Sequence, residues 1–201
     1  MDNLISPSTS SGNYPWQTTI SKQKSFNGIG LHSGNLINVT LKPAKENTGI
    51  IFIRTDIDKK IKERSIKALY SNVSDTSLCT TIENEYGIKV STIEHLMAAF
   101  NGTGIDNIII ELNGPEVPIM DGSSLPLIEI IENCGIESLK VKRKILKILK
   151  KIEVRVDNKY CSFVPSKEQK FSVEIDFENK AVGKQSASTS LANYNFKNFA
   201  S

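Results

Sequence analysis

The sequence is poor in the residues from which disulfide frameworks and metal clusters are built. Its 201 residues include three cysteines and two histidines. Cys79, Cys134 and Cys161 are far apart and odd in number, and no C-x-x-C pair occurs. This pattern excludes a cysteine-based zinc knuckle and is typical of reduced thiols in a cytosolic protein. We therefore expect a cytoplasmic location.

Long apolar runs and a strong charge of one sign are also missing. No apolar stretch reaches the roughly 18 residues that a membrane-spanning helix needs. The opening residues "MDNLISPSTSSGNYPWQTT" lack the basic and apolar regions of a secretory signal, and we expect residues 1–17 to form a flexible lead. The net charge of +3 is too small to indicate a nucleic-acid partner.

Alternating apolar residues predict β-strands in both halves of the chain. In the first half, residues 37–41 ("INVTL") and 50–54 ("IIFIR") have this period of two and flank a polar turn. Residues 104–112 ("GIDNIIIEL") indicate a short buried strand. In the second half, residues 152–156 and 171–177 alternate in the same way.

Two stretches have the apolar spacing of helices. The first covers residues 92–100, and the second covers residues 125–134 after candidate capping residues Ser123 and Ser124. The apolar stripe of the first helix consists of Ile93, Leu96, Met97 and Phe100. Strands together with helices predict the α+β class, with a first domain over residues 18–136.

A faint repeat suggests that one unit occurs twice. The segments "VTLKPAKENTGIIFIRTD" and "CSFVPSKEQKFSVEIDF" both read strand, proline, small residue, lysine, polar turn and strand. Chance similarity and duplication both remain open. Two helices follow the first copy, whereas mainly polar residues follow the second, so residues 152–201 predict an incomplete second α+β domain. Its apolar face is expected to be partly exposed, and it consists of Phe171, Val173, Ile175 and Phe177.

A basic segment lies between the two units. Residues 137–151 contain "KVKRKILKILKK", which we interpret as a solvated linker and the start of a strand. The alternative is contact with anionic lipid or nucleic acid. We expect no nucleic-acid partner and at most weak peripheral membrane contact.

Glu94 and His95 are adjacent within the first predicted helix. One interpretation is a partly buried histidine beside a solvated acid. The other is a catalytic zinc site, in which the imidazole binds the metal and the carboxylate takes a proton from metal-bound water. Because the pair is not part of an H-E-x-x-H motif, the spacing leaves both interpretations open.

Several motifs in one order resemble a known family. They are "GIGLHSG", "LKPA", "TGIIFIRTD", "LCTT", "STIEHLMAAFNGTGIDNIIIEL" and "EVPIMDGSS". Together they resemble the UDP-3-O-acyl-N-acetylglucosamine deacetylases, zinc enzymes of the committed step of lipid A biosynthesis. The similarity runs from about Thr18 to the end of the chain and is densest over residues 91–124. It implies two related α+β domains packed face to face.

The resemblance also implies roles for individual residues. His95 matches the first zinc ligand, and Glu94 matches the general base that hydrolyses the N-acetyl group of a UDP-linked acylated amino sugar. His32, in "GLHSG", is expected to be structural or cleft-lining rather than catalytic. The segment that the resemblance places along the active-site cleft is Leu78, Cys79 and Thr80.

The resemblance implies ligands that this sequence lacks. In the family a histidine and an aspartate, four residues apart on a helix of the second domain, complete the zinc site. His32 and His95 are the two histidines present, and neither matches that position. We therefore expect a chain truncated within the second domain, arising as a split gene, a frameshifted remnant or a fragment, with a separately encoded second half as one partner. The alternative is an inactive remnant or interaction module that keeps the first domain fold.

Ligand counting predicts that the 201 residues alone bind zinc poorly and release no acetate. One imidazole with one carboxylate falls short of the usual site of about three protein ligands. The check is metal content after dialysis against zinc, together with an acetate-release assay. Stoichiometric zinc with sustained turnover from a monomer would contradict the expectation.

Overall fold

A five-stranded mixed sheet forms the framework of the first part of the chain. The computed structural model describes residues 15–190, 196–198 and 200; residues 1–14 of the predicted lead and 191–195 of the predicted second domain lie outside them. The strands are β1 Trp16–Ile20, β2 Lys24–Ile29, β3 Leu36–Pro43, β4 Ile50–Arg54, β5 Ser65–Lys67, β6 Val73–Asp75, β7 Thr81–Glu83, β8 Lys89–Val90, β9 Ile108–Leu112, β10 Ile136–Lys142, β11 Ile152–Val156, β12 Lys159–Phe163, β13 Lys170–Asp176 and β14 Lys184–Ser190. The helices are α1 Glu94–Thr103 and α2 Leu125–Cys134.

The main sheet has the order β2-β3-β9-β4-β5. β9 is antiparallel to β3 and parallel to β4. The alternation predicted for "INVTL" is confirmed, because Ile37, Val39 and Leu41 are buried while Asn38 is exposed. A smaller sheet of order β6-β7-β8 is formed by the residues between β5 and α1.

The two predicted helices are both present, which confirms the α+β class. α2 has the predicted bounds, whereas α1 begins at Glu94 and ends at Thr103 rather than covering 92–100. It begins late because Thr92 has a φ of 55°, outside the helical region, and it ends where Gly104 adopts a left-handed conformation. Three residues of the predicted stripe are buried, and Met97 packs partly buried against the same core.

The serine caps differ in part from the prediction. Ser124 occupies the position before α2, but its hydroxyl donates to the backbone carbonyl of His95 at 3.1 Å and so ties α2 to α1. The Ser123 hydroxyl instead accepts from the amide of Leu125 at 3.2 Å. Asp121 accepts bonds from the amide and hydroxyl of Ser123, as expected of a turn residue.

The basic segment begins inside the fold. β10 pairs antiparallel with β1, and Arg143 donates to Asp106 at 2.8 Å and to the carbonyl of Gly104 at the end of α1. Farther along, residues 144–151 form no helix. The apolar side chains of this stretch that stand in solvent are Ile145, Leu146 and Leu149. No helix in the described part of the chain is long and apolar enough to cross a membrane.

Two separate hairpins, β11–β12 and β13–β14, follow the basic segment. β14 was not predicted, because "KQSASTS" has no apolar alternation. The expected exposed face is confirmed: Phe171, Val173, Ile175 and Phe177 are 38–60% exposed. After these hairpins the chain returns to the first core, where Phe196 lies over Gly102.

Removing a core side chain of α1 should cost much of the stability of the first unit. Leu96 is fully buried, so Leu96→Ala should lower the free energy of unfolding by about 2–5 kcal/mol through lost transfer energy and a cavity. Urea denaturation measures the change. Val173→Ala is the control, because Val173 is 60% exposed and its truncation should change stability little. Equal effects of the two substitutions would contradict the assigned core.

Candidate active site

Glu94 stands in the first turn of α1 and is bound there by a loop. Its Oε2 atom accepts a hydrogen bond from the amide of Thr80 at 3.0 Å. A carboxylate is also favourable at a helix N-terminus, where backbone N–H groups lack intrahelical acceptors. The structure thus joins the predicted base to the segment predicted to line the cleft.

His95 follows in the same turn and is half-buried. Its position is fixed through its backbone, whose carbonyl accepts from Ser124 at the start of α2. Successive helical residues point about 100° apart, so the imidazole and the Glu94 carboxylate leave the helix in different directions. The pair can therefore flank a third group rather than bond to each other.

A groove of about 400 Å³ lies along the loop that carries Leu78 and Cys79, and neither Glu94 nor His95 is among its lining residues. It is lined by His32, Ser33, Asp75, Ser77, Leu78, Cys79, Thr81, Ser91, Pro115 and Glu116. The structure therefore brings His32, Leu78 and Cys79 to one cavity. Thr80 is not among the lining residues, and its backbone N–H instead donates a hydrogen bond to the Glu94 carboxylate. The assignment of this groove to catalysis stays a prediction.

The groove combines an apolar edge with polar walls. Leu78 is 83% exposed, so its apolar side chain is accessible at the edge of the groove. Cys79 is half-buried, with its sulfur 3.7 Å from the Thr81 hydroxyl. None of the three cysteines forms a disulfide.

Glu116 is the functional candidate that sequence reasoning missed. It is 2% exposed. Its Oε1 accepts from the amide of His32 at 2.9 Å and the hydroxyl of Thr92 at 3.0 Å, and its Oε2 accepts from the amide of Ser33 at 2.9 Å. The sequence signal was an acid opening the motif "EVPIMDGSS", between two prolines in a loop where a solvated acid would be ordinary.

The pKa of Glu116 reflects two opposing effects. Burial, the largest single effect, raises the pKa because it disfavours the charged form. The hydrogen bonds from His32, Ser33 and Thr92 stabilise the carboxylate and together outweigh burial, so the pKa lies below its ordinary value. Glu116 is therefore a buried anion held by surrounding donors.

A metal ion would find only part of a site here. Histidine and carboxylate are donor types that catalytic zinc uses, and Glu94 and His95 supply one of each. Among the residues that the structure describes, no three His, Cys, Asp or Glu side chains form a group able to hold a metal. The donor chemistry suits zinc, while the number of ligands falls short within this part of the chain.

Comparison with known proteins identifies the class. Residues 17–200 match the family LpxC, UDP-3-O-acyl N-acetylglycosamine deacetylase. The UDP-3-O-acyl-N-acetylglucosamine deacetylase of Pasteurella multocida is 43% identical over 168 residues, which is 84% of this chain and 54% of that protein. The enzyme of the same name from Neisseria meningitidis (strain FAM18) is 44% identical over 170 residues, 85% of this chain and 55% of that protein.

The chain belongs to the LpxC family, as the match over most of its length shows. It spans about half the length of the curated relatives that it matches. The resemblance inferred from the motifs is thus confirmed at the level of the family.

The buried charge of Glu116 predicts a pH-dependent contribution to stability. Glu116→Gln should lower the free energy of unfolding at pH 7 by about 1–3 kcal/mol, because an amide cannot accept bonds on both sides. Since the folded-state pKa is lowered from 4.5, this contribution is present above 4.5 and is lost as pH falls through the lowered value. Urea denaturation at a series of pH values from 7 to about 3 should show the difference in unfolding free energy between wild type and Glu116→Gln becoming smaller.

Glu111→Gln is the matched control. Glu111 is partly exposed and pairs with Lys42 on the sheet, so its substitution should have a small effect. If the difference in unfolding free energy between wild type and Glu116→Gln did not change with pH, the assignment of Glu116 as a buried anion would be contradicted.

Proposed function

We propose that this chain carries the general base and one zinc ligand of a UDP-3-O-acyl-N-acetylglucosamine deacetylase, a zinc-dependent enzyme of the committed step of lipid A biosynthesis. The observation that carries the proposal is the placement of Glu94 at the start of α1, bound by the amide of Thr80, within a chain of this family. The substrate would be a UDP-linked acylated amino sugar, as the names of the relatives indicate.

The reaction would be hydrolysis of the 2-acetamido group. Glu94 takes a proton from water as that water attacks the acetyl carbonyl, and the proton then passes to the departing amine as the C–N bond breaks. The products are acetate and a free 2-amino sugar. The bond from Thr80 holds the carboxylate in one orientation, which is the condition for proton transfer at short range.

Zinc is part of the proposal. His95 would supply one of its ligands, and the remaining ligands would come from a portion that corresponds to the part of the relatives that this chain does not span. When bound, zinc supplies Lewis-acid polarisation of a carbonyl and a more acidic water. The complete site would therefore combine residues of this chain with residues of the portion that it does not span.

Location and partners complete the proposed function. Three cysteines without disulfides favour a cytoplasmic protein. The acyl chain of the substrate and the exposed residues of the basic segment support at most weak membrane contact. A second candidate, an interaction module without activity, is favoured by the uncovered apolar face of β13.

A chimera tests the proposed catalysis. This chain would be joined to the part of the Pasteurella multocida relative that it does not match, and the product assayed for acetate release. Glu94→Ala should lower kcat by roughly 10²–10⁴-fold with zinc retained, because a general base contributes that much. His95→Ala should instead lose zinc.

Glu83→Ala is the matched control in the chimera. Glu83 pairs with Lys89 on β7 and β8, outside the groove lining, and its variant should keep its turnover. Near-normal kcat in Glu94→Ala would exclude the base assignment. A folded wild-type chimera that binds zinc but releases no acetate would favour the interaction module.

A further inference from the structure

The loop that follows β2 is shaped around a carboxylate that comes from far along the chain. Gly30 and Gly34 close this loop by a backbone hydrogen bond of 2.9 Å. Inside it, the amides of His32 and Ser33 both point to Glu116, each at 2.9 Å from one oxygen. Two donors on one buried anion fix the loop more firmly than two bonds to solvent would.

Gly30 shows how closely the loop approaches the carboxylate. A Cβ atom at this position would lie 2.5 Å from Oε2 of Glu116 and would also overlap the Ser33 hydroxyl. A side chain therefore cannot be added without moving the carboxylate or the loop. The close approach explains why glycine stands at this position.

The same carboxylate holds a strained residue before α1. Thr92 has a φ of 55°, and a β-branched residue in the left-handed region is a genuine outlier. Its hydroxyl donates to Glu116 at 3.0 Å, and it is 2% exposed. Glu94 follows two residues later, so the conformation of Thr92 determines where α1 begins.

Backbone bonds keep Glu116 beside this residue. The amide of Ser91 donates to Pro115 at 2.8 Å, and the amide of Val117 donates to Ser91 at 3.0 Å. The segment 115–117 is therefore attached on both sides of Glu116 to the chain that enters α1. Movement of the carboxylate would move both attached elements.

We propose that Glu116 is a positioning residue that couples the His32–Ser33 wall of the groove to the entry of α1, and thereby sets the orientation of Glu94. The inference rests on the proposed function for its effect on catalysis. Packing alone does not require a charge here, because an apolar side chain would fill the space without the cost of burying an anion. The carboxylate instead accepts three directed hydrogen bonds from two separate parts of the chain, the loop after β2 and the residue before α1.

Amide hydrogen exchange on the 201-residue chain tests the structural part without any assay of activity. In Glu116→Gln the amides of His32 and Ser33 should exchange about tenfold faster or more, since at least one loses its acceptor. The amide of Ile110 in β9 is the internal control for global stability. Unchanged protection of both loop amides would overturn the proposal.

Kinetics in the chimera test the catalytic part. Glu116→Gln should lower kcat by about 10²-fold with a smaller change in KM, because a misplaced base affects the chemical step more than ground-state binding. Thr92→Val should lower kcat similarly, and Thr92→Ser, which keeps the hydroxyl, should retain it. Glu111→Gln controls for the loss of a negative charge.

The double variant Glu116→Gln with Thr92→Val tests whether the two residues act through one shared hydrogen bond or affect kcat independently. If one hydrogen bond carries the coupling, the double variant should lose little more kcat than either single variant. Multiplicative losses, or a Glu116→Gln enzyme with unchanged kcat, would overturn the proposal. If the wild-type chimera released no acetate, the proposed function would fail, and hydrogen exchange would still decide whether Glu116 couples the two elements.

Discussion

Burial of β9 is the constraint on which the first unit depends. This strand lies between β3 and β4, antiparallel to one and parallel to the other, and Ile108, Ile110 and Leu112 are fully buried. Each such side chain contributes about 1.5–3 kcal/mol when removed from water. Because β9 follows α1 after a short turn at Gly104, the strand also determines which face of α1 meets the core. Leu96 and Phe100 must point inward, and the direction left to Glu94 is toward the loop at Thr80.

Apolar burial determines how the sheet and helices pack, while two hydrogen-bonded carboxylates, Asp106 and Glu116, connect the ends of α1 to neighbouring elements. Asp106 accepts from the amide of Thr18 and from Arg143, and so joins β1, the end of α1 and the end of β10. Glu116 does the same at the other end of α1, through Thr92 and the loop after β2. A helix whose two ends are each tied by a hydrogen-bonded acid has little freedom to shift along the sheet. Such a fixed helix would serve the role proposed for Glu94, because small displacements strongly affect proton transfer.

The parts of this fold that could be predicted from the sequence are those with an apolar period. β3, β4, β9, β11, β13 and both helices follow that rule. β14 could not be predicted because its residues are polar, and because its strand conformation depends on pairing with β13 rather than on a local pattern. The strands β5 to β8 are two or three residues long, too short to show a period. Glu116 was missed for a related reason: its importance lies in donors 24 and 84 residues away in the chain, which no local pattern records. By contrast, Glu94 and His95 are predicted as site residues by the family motif rather than by periodicity, and that assignment stays a prediction.

The adjacency of Glu94 and His95 is itself explained by helical geometry. Residues four apart on a helix share a face and would both point at one ion as ligands. Adjacent residues diverge by about 100°, so one side chain can bind while the other reaches a neighbouring position. In this structure the two residues have different contacts. The Glu94 carboxylate accepts a hydrogen bond from Thr80, while the backbone carbonyl of His95 accepts one from Ser124 at the start of α2. Separate anchors for the two directions hold the carboxylate of Glu94 and the turn that carries His95 in place independently of each other.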